Sequence, residues 1–327
     1  VQKPSQARYI YCKTSDAFNK IYQDMDLVPP HEDEGHEPPA YYLPIIPTVL
    51  LNGVSGIAKA YATNIPPHSL KSIAEGCVSY LKGNPFKLDV SYPQFSGNVI
   101  DGTMFGVYEL QGKTKLVIKE IPYKFDREKY IAVLDKLEEK GLITGYDDQS
   151  KEGFKFVVTL KREYAVKLDH EKIIKDFKLS ENANPNINVI RDGKLVHFEA
   201  AEDLLKEFVD FRITIYGTRI DKRIQELEIQ FALASAKVSF IDHMLAKPDA
   251  LKGLTRGAAT ELIRTWDGCE KHAETLVQMN IYHLTTDERD KLIAEVEEIK
   301  KKLDYWKNTT PKIEYLNDLN VLAKKLK

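Results

Sequence analysis

Apolar positions in the last third of the chain repeat with the period of a coiled coil. Ile220, Ile224, Leu227, Phe231, Ala234, Val238, Ile241 and Leu245 follow one another at steps of 4,3,4,3,4,3,4. That spacing predicts a heptad seam sustained over more than three repeats. From Ala201 to about Lys247 there is no proline, only Gly217 interrupts the pattern, and Pro248 ends it. A second seam, Leu292, Val296, Ile299, Leu303 and Trp306, steps at 4,3,4,3. Two readings follow: two amphipathic helices of a bundle, or one antiparallel coiled coil with residues 250–285 as a helical knob at its far end. Ile313, Leu316, Leu319, Ala323 and Leu326 step at 3,3,4,3, which predicts a shorter amphipathic helix.

The first two-thirds have another texture. Ala17, Phe18, Ile21, Tyr22 and Met25 recur at helical spacing and predict a helix within residues 10–26, closed by Pro29-Pro30. The acidic stretch His31 to Pro39 reads as an exposed loop. Leu50-Leu51-Asn52-Gly53 is an apolar run entering a tight reversal. Ser69 is placed to cap a helix running to Leu81, with Ile73, Cys77, Val78 and Leu81 on one face. Lys115–Ile121 and Phe154–Leu160 read as strands, separated by an amphipathic helix over Arg127–Lys140 that Gly141 stops. This β-α-β texture predicts a compact α+β unit before the helical arm.

Composition narrows the picture little. The 327 residues carry 47 Lys+Arg against 49 Asp+Glu, a net charge of −2. Any nucleic-acid contact must therefore rest on local features and not on bulk charge. Cys12, Cys77 and Cys269 are odd in number and far apart, which gives no disulfide framework or zinc site and makes a reducing, cytoplasmic setting the default. No apolar run approaches the ~20 residues of a membrane span, and Val1 to Ala7 lack the apolar core of a signal peptide.

Several chemistries have no motif here. The chain has no GxxxxGK[ST] loop, GxGxxG, HExxH, GxSxG or paired CxxC, so no nucleotide site and no serine-hydrolase site is read. His31-Glu32-Asp33-Glu34-Gly35-His36-Glu37 holds acceptable metal ligands, but a proline-flanked acidic segment reads better as a solvated loop. Gly53-Val54-Ser55-Gly56 matches the four-residue GxxG of RNA-binding KH domains, without the surrounding strand and helix pattern. Arg8-Tyr9 alone means little, since Tyr is ordinarily a half-buried packing residue.

The segment downstream gives that dipeptide its weight. Ile46-Pro47-Thr48-Val49-Leu50-Leu51-Asn52-Gly53-Val54-Ser55-Gly56-Ile57-Ala58, followed by Ala62-Thr63-Asn64-Ile65-Pro66-Pro67-His68, closely resembles the signature of type IIA DNA topoisomerase cleavage (A-type) subunits. In that family the signature follows a catalytic Arg-Tyr by several tens of residues; here Asn52 lies 43 positions after Tyr9. Ile118-Lys119-Glu120-Ile121-Pro122-Tyr123 resembles a further family segment. Phe208 through Arg212 to Arg223 resembles the start of the long helix, and Leu284-Thr285 the return arm. The resemblance spans essentially the whole chain, and the phage subunits of the T4 type are nearest in character. Two departures stand out: Ile10-Tyr11 follows the tyrosine where the family often has Thr-Glu, and Lys59-Ala60-Tyr61 replaces small and apolar residues.

What the resemblance implies is an α+β chain of three parts. Residues 1–40 would be the C-terminal end of a winged-helix domain whose upstream part is missing. Residues 41–200 would be an α/β tower, and 201–327 a coiled-coil arm with a helical dimerisation knob at an exit gate. Tyr9 would attack a DNA phosphate to leave a transient phosphotyrosyl end, with Arg8 offsetting phosphate charge. Ile57, for which a core position is otherwise the ordinary expectation, would wedge between base pairs. Asn52, Ser55, Lys59 and Lys71 would contact the backbone of double-stranded DNA. Mg²⁺ would be held mainly by a TOPRIM partner and ATP by an ATPase partner, with no metal ligands assigned in this chain. The arm would make a homodimer, in bacterial or phage-infected cytoplasm. In the knob, Leu262, Ile263, Trp266, Leu276, Met279 and Ile281 would divide between core and dimer contact. The alternatives are a non-catalytic DNA-binding scaffold of the same fold and, more distantly, a coiled-coil assembly protein without a DNA role.

Overall fold

The computed structural model describes residues 11, 13–30, 35, 39–58, 61–100, 102–182, 184–191, 193–280 and 285–325. Arg8, Tyr9, Lys59 and Ile281 lie outside them, as does the acidic loop of residues 31–37 apart from Gly35. In chain order the elements are α1 (Asp16–Ile21), α2 (Thr48–Asn52), β1 (Val54–Ala58), β2 (Tyr61–Ile65), α3 (Leu70–Lys82), β3 (Asn98–Ile100), β4 (Thr103–Phe105), β5 (Val107–Gln111), β6 (Lys115–Glu120), α4 (Arg127–Glu139), β7 (Ile143–Asp148) and β8 (Phe156–Leu160). They continue as α5 (Arg162–Ala165), α6 (His170–Asp176), β9 (Ser180–Asn182), β10 (Ile187–Arg191), β11 (Lys194–Phe198), α7 (Ala201–Ala246), α8 (Arg256–Arg264), α9 (Ala273–Leu276), α10 (Thr286–Asn308) and α11 (Pro311–Lys325). The mixed α+β character and the long helices expected from the sequence are present. The chain divides into two compact units, 1–23 with 42–210 and 319–327, and 24–41 with 211–318. The division falls inside α7, at 210/211, and again inside α11.

The first unit is organised by an antiparallel sheet in the order β5-β6-β8-β7. Its inner face packs under α4 and α6, burying Leu116, Ile118, Tyr130, Leu134, Phe156, Val158, Ile173 and Phe177. The α4 helix forms where the pattern predicts, capped by Asp126, whose carboxylate accepts from the Lys129 N–H, and stopped by Gly141 at φ 67°. The buried Tyr130 hydroxyl donates to the Phe177 carbonyl at 2.8 Å, and burial pushes its phenol pKa up. The α3 helix likewise starts on Ser69, which accepts from the Ser72 N–H.

Two short sheets stand beside this core, the β1–β2 hairpin and β10–β11. Gly53 enters the hairpin from α2 with φ 67°, and a Cβ there would sit 2.8 Å from the Pro67 ring. His68 closes the other end. It is buried, its backbone N–H donates to the Leu50 carbonyl at 2.8 Å, and its Nδ1 lies 3.3 Å from the same oxygen. The hairpin is thus pinned to α2 at both of its ends.

In the second unit the two heptad seams meet as one antiparallel pair. Lys307 bonds Glu228 at 2.7 Å, and Arg289 bonds Asp242, so numbers rise on α7 as they fall on α10. Ile220, Ala234, Ile241, Leu292, Ile299 and Leu303 are buried along the seam, whereas Leu245 at its end is exposed. The knob has its own core of Ala236, Phe240, Ile263, Cys269, Ala273 and Leu276, with Trp266 and Met279 packed against it. The open division of the knob residues is therefore partly settled: Ile263 and Leu276 are core, and Leu262 is half-buried.

A buried ionic network holds the other end of this unit. Arg219 donates to both oxygens of Asp24 at 2.6 Å and, through Nη1, to Asp318 at 2.8 Å. Arg212 donates to Asp24 Oδ2 at 2.7 Å. The Tyr216 ring lies between the two guanidinium groups, 4.9 and 4.2 Å from their centres, and its hydroxyl donates to Asp318 at 2.7 Å. Burial, with the Asp318 carboxylate beside it, pushes the Tyr216 phenol up.

This network explains two departures from the sequence pattern. The helix expected within 10–26 is only α1 followed by a 3-10 turn at Met25–Leu27. Asp24 adopts a left-handed φ of 62° to face the arginines, and Tyr22 leaves the helix to bridge with Pro44. In α11 the buried residues include Tyr315, Leu319 and Leu322; of the expected row Leu319 is buried and Leu316 half-buried, Ile313 and Ala323 are exposed, and Leu326 lies outside the described residues. Tyr315 stacks on Tyr216 at 4.8 Å, and Glu314 accepts from the Tyr305 hydroxyl at 2.6 Å, which rotates the helix from its apolar stripe.

Two outcomes are expected. Arg219→Met keeps the volume but leaves the Asp24 and Asp318 carboxylates without their main partner. It should cost about 3–5 kcal/mol in urea unfolding of the second unit. For His68, burial holds the imidazole pKa below its ordinary 6.5. As pH falls through 6.5 the unfolded chain takes up a proton that the folded chain refuses, so stability drops in that direction. The loss of thermal midpoint between about pH 7.5 and 5 should be smaller in His68→Gln than in the wild type.

Candidate nucleic-acid interface

Helix α1 and Tyr22 are packed on the segment that leads to the hairpin. Ser15 caps α1 by accepting from the Phe18 N–H at 3.1 Å. Phe18 and Tyr22, one helical turn apart, stack at 4.4 Å, and Tyr42 meets both rings edge-on. The Ile45 N–H donates to the Ile21 carbonyl at 2.8 Å, and the Tyr22 hydroxyl lies 3.3 Å from Thr48 Oγ1, the first residue of α2. A short continuous path thus runs from α1 through Thr48 and α2 to Asn52 and the hairpin.

The hairpin carries its residues outward. β1 and β2 pair with Val54 opposite Ile65 and Ala58 opposite Tyr61. Side chains alternate across such a ribbon. Ile65 at the base is buried, whereas Ile57 near the tip is 93% exposed. The ordinary expectation of a core role for Ile57 is therefore not met. Ser55 and Asn52 are also exposed. The GxxG of Gly53 to Gly56 runs from a helix end into a strand, unlike a loop between two helices.

Asn52, Gly53 and Ser55 border a cleft of about 470 Å³ whose other wall holds Tyr92, Tyr123 and Lys124. Those three were not singled out from the sequence for this role. Tyr92 and Tyr123 face each other at 5.0 Å, and burial, with Glu181 adding to it, pushes the Tyr92 phenol up. Lys124 pairs with Glu181 at 3.5 Å. The Ile118–Tyr123 segment was a signal in the sequence, but its place opposite Asn52 comes only from the fold. The cleft offers amide, hydroxyl and ammonium donors, with the Glu181 carboxylate beside Lys124, and such donors suit a sugar–phosphate strand.

Lys71 is not brought to this cleft. It lies in the first turn of α3, 82% exposed, 3.9 Å from Glu75, and borders a separate hollow with Leu319 and Ala323. Among the described residues no group of three or more His, Cys, Asp or Glu is gathered to hold a metal ion, so no step is routed through a metal on them. No helix among them is long and apolar enough to cross a membrane.

Comparison with known proteins places this geometry. The family model for the A-type subunits of DNA gyrase and topoisomerase IV matches residues 1–326. The DNA topoisomerase medium subunit of Enterobacteria phage T4 is 43% identical over 98% of this chain and 75% of its own length. The A-type subunit of DNA topoisomerase 4 from Staphylococcus epidermidis is 22% identical over 99% of this chain, which spans 45% of that protein. The crystal structure of the Plasmodium falciparum topoisomerase II DNA-binding, cleavage and re-ligation domain superposes with a TM-score of 0.82 at 24% identity. That match covers 98% of this chain and 50% of the other, and it shows a shared fold. With a family match over almost the whole sequence and a relative of 43% identity, the chain belongs to the family of A-type subunits of DNA gyrase and topoisomerase IV.

Proposed function

We propose that this chain is the DNA-cleaving and rejoining part of a type IIA topoisomerase, working with partner subunits. The observation that carries the reading is the hairpin. An isoleucine held 93% exposed on a hairpin pinned at its base, beside a cleft bordered by Asn52, Ser55, Tyr123 and Lys124, suits a wedge that kinks duplex DNA. The contacts of Ile21 with Ile45 and of Tyr22 with Thr48 support the same reading, because they tie the helix that comes after Arg8-Tyr9 in the sequence to the base of that hairpin.

In this reading the Tyr9 phenolic oxygen, once deprotonated, attacks a backbone phosphate. A Tyr9 O–P bond forms, the bond to the 3′ oxygen breaks, and the 3′ hydroxyl leaves with a proton. Arg8 carries a permanent fork of donors suited to the phosphate oxygens. The ester energy is kept in the phosphotyrosyl bond, so attack by the 3′ hydroxyl restores the strand without a nucleotide. Mg²⁺ bound by a partner TOPRIM domain would supply added charge stabilisation at the phosphate, and ATP would be bound by a partner subunit. Asn52 and Ser55 serve the strand that borders the cleft, and Lys59 the adjoining backbone. Lys71, on a different surface, is assigned only a distant phosphate. Residues 1–40 act as the end of the tyrosine-bearing domain, 41–200 as the tower, and 201–327 as an arm whose knob pairs with a second copy, in bacterial or phage-infected cytoplasm. A non-catalytic scaffold of the same fold is the competing reading.

Denaturing the assembled enzyme on DNA should trap a covalent adduct that maps to Tyr9 and is absent in Tyr9→Phe. An adduct on another tyrosine overturns the role of Tyr9, and none with a complete set of partners leaves the scaffold reading standing. Ile57→Ala, at an exposed site, should fold normally yet lower trapped cleavage about tenfold or more, since a kink costs a few kcal/mol.

A further inference from the structure

The Lys124–Glu181 pair on the wall of the cleft has no part in the reaction above. Its geometry begins with a turn. The Phe125 N–H donates to the Pro122 carbonyl at 3.0 Å, so Pro122 to Phe125 form a β-turn. The N–H of the third residue of such a turn, here Lys124, has no bond inside it. It donates instead to Glu181 Oε2 at 3.2 Å, and the Lys124 ammonium lies 3.5 Å from Oε1. One carboxylate thus takes two donors of one residue. The ammonium also lies 5.3 Å from the centre of the Phe125 ring.

Both sides of the pair are fixed. Glu120, at the end of β6, is buried. Its carboxylate accepts from the Ile121 N–H at 3.0 Å, and from the Ser96 N–H and hydroxyl at 2.9 and 2.7 Å. Those bonds hold the residue that leads into the turn against the loop that carries Tyr92. Glu181 is the middle residue of β9, paired with Met104 of β4, and beside it the Thr103 hydroxyl donates to Asn182 Oδ1 at 2.7 Å. The Glu181 side chain is 18% exposed and that of Lys124 50%. The carboxylate is packed in place, while the cation reaches towards solvent.

A backbone N–H beside an ammonium is a donor set that nucleic-acid phosphates use. Here it borders the same cleft as Asn52 and Ser55, and an internal anion already holds it. A strand phosphate gains Lys124 only by displacing the carboxylate, against the repulsion between two like charges. A free phosphate has no other anchor and gains little from the exchange. A strand held also at Asn52, Ser55 and Ile57 can offset that cost.

We infer that Glu181 is a specificity-determining residue. It holds the donors of Lys124 closed to loose anions and yields them to a phosphate of an anchored DNA strand. The inference rests on the reading of the cleft as a strand site.

The test is duplex binding by the full chain assembled with its partner subunits, for wild type, Glu181→Gln, Lys124→Ser and the two together. Glu181→Gln keeps the shape and removes the charge. It should bind the duplex roughly tenfold more tightly. Inorganic phosphate added at constant ionic strength should weaken the binding of Glu181→Gln and leave that of the wild type unchanged. In the Lys124→Ser background the same substitution should bring no gain. An affinity unchanged or weakened in Glu181→Gln overturns the inference. So does a gain that survives Lys124→Ser, because Glu181 then acts only as a nearby negative charge. Lys124→Ser alone should lower the slope of log affinity against log salt by about one. An unchanged slope and affinity in that variant overturn the strand-site reading of the cleft separately. Glu181→Ala, which also removes the acceptor for the Lys124 N–H, should show the same gain as Glu181→Gln. An unfolding midpoint equal to wild type verifies that each variant is folded.

Discussion

The Asp24 carboxylate holds together more of this chain than its size suggests. It accepts from Arg212 and twice from Arg219, while Asp318 takes the remaining face of Arg219 and the hydroxyl of Tyr216. Residues 24, 212–219 and 318 are remote in sequence and adjacent in space. Each lies close to a point where the chain enters or leaves the second compact unit. Buried charges are costly unless paired with good geometry. Here each guanidinium is paired, and an aromatic ring between them adds attraction to both. Asp24 accounts for the early end of the first helical pattern, and the Tyr216–Tyr315 stack beside the arginines for the orientation of α11.

The first unit is built on a different principle. Its core is a four-stranded sheet under two helices, and the face proposed for DNA consists of small ribbons beside it. Gly53 and His68 make the hairpin possible: one permits the close pass over Pro67, and the other ties the exit to Leu50. Rigidity at the base is what allows an aliphatic residue to stand in water at the tip without collapsing back onto the core. A mobile loop would bury Ile57 against the nearest apolar surface and lose the proposed wedge.

Much of this was legible in the order of residues. The heptad steps located both long helices, and the residue pairs along them resolved the choice between a bundle and an antiparallel coiled coil. Ser69 and Gly141 marked helix ends because capping is local chemistry that sequence states directly. The exposure of Ile57 was not legible from its own neighbourhood, since an isoleucine after a turn is ordinarily core; only the family resemblance pointed outward. The Tyr92–Tyr123–Lys124 wall and the backbone bridge of Asn64 with Asn186 were invisible for a stronger reason. They join segments separated by several tens of residues to more than a hundred, and no periodicity encodes such a meeting. Lys71 shows the opposite case, a basic residue near the signature in sequence that the helix carries to the edge of another hollow.

The long helix has one soft place. Gly217 sits within α7 between Tyr216 and Arg219, with no neighbour near the position a Cβ would take, and a glycine there costs helix stability of about 1 kcal/mol. From residue 211 to Ala246 the helix is a rod of about 54 Å. By simple leverage, one degree of bending at its base displaces the knob by nearly 1 Å. The buried salt bridges therefore act as a bearing around the weakest point of a lever, and the accuracy with which the knob is presented is set at the opposite end of the rod.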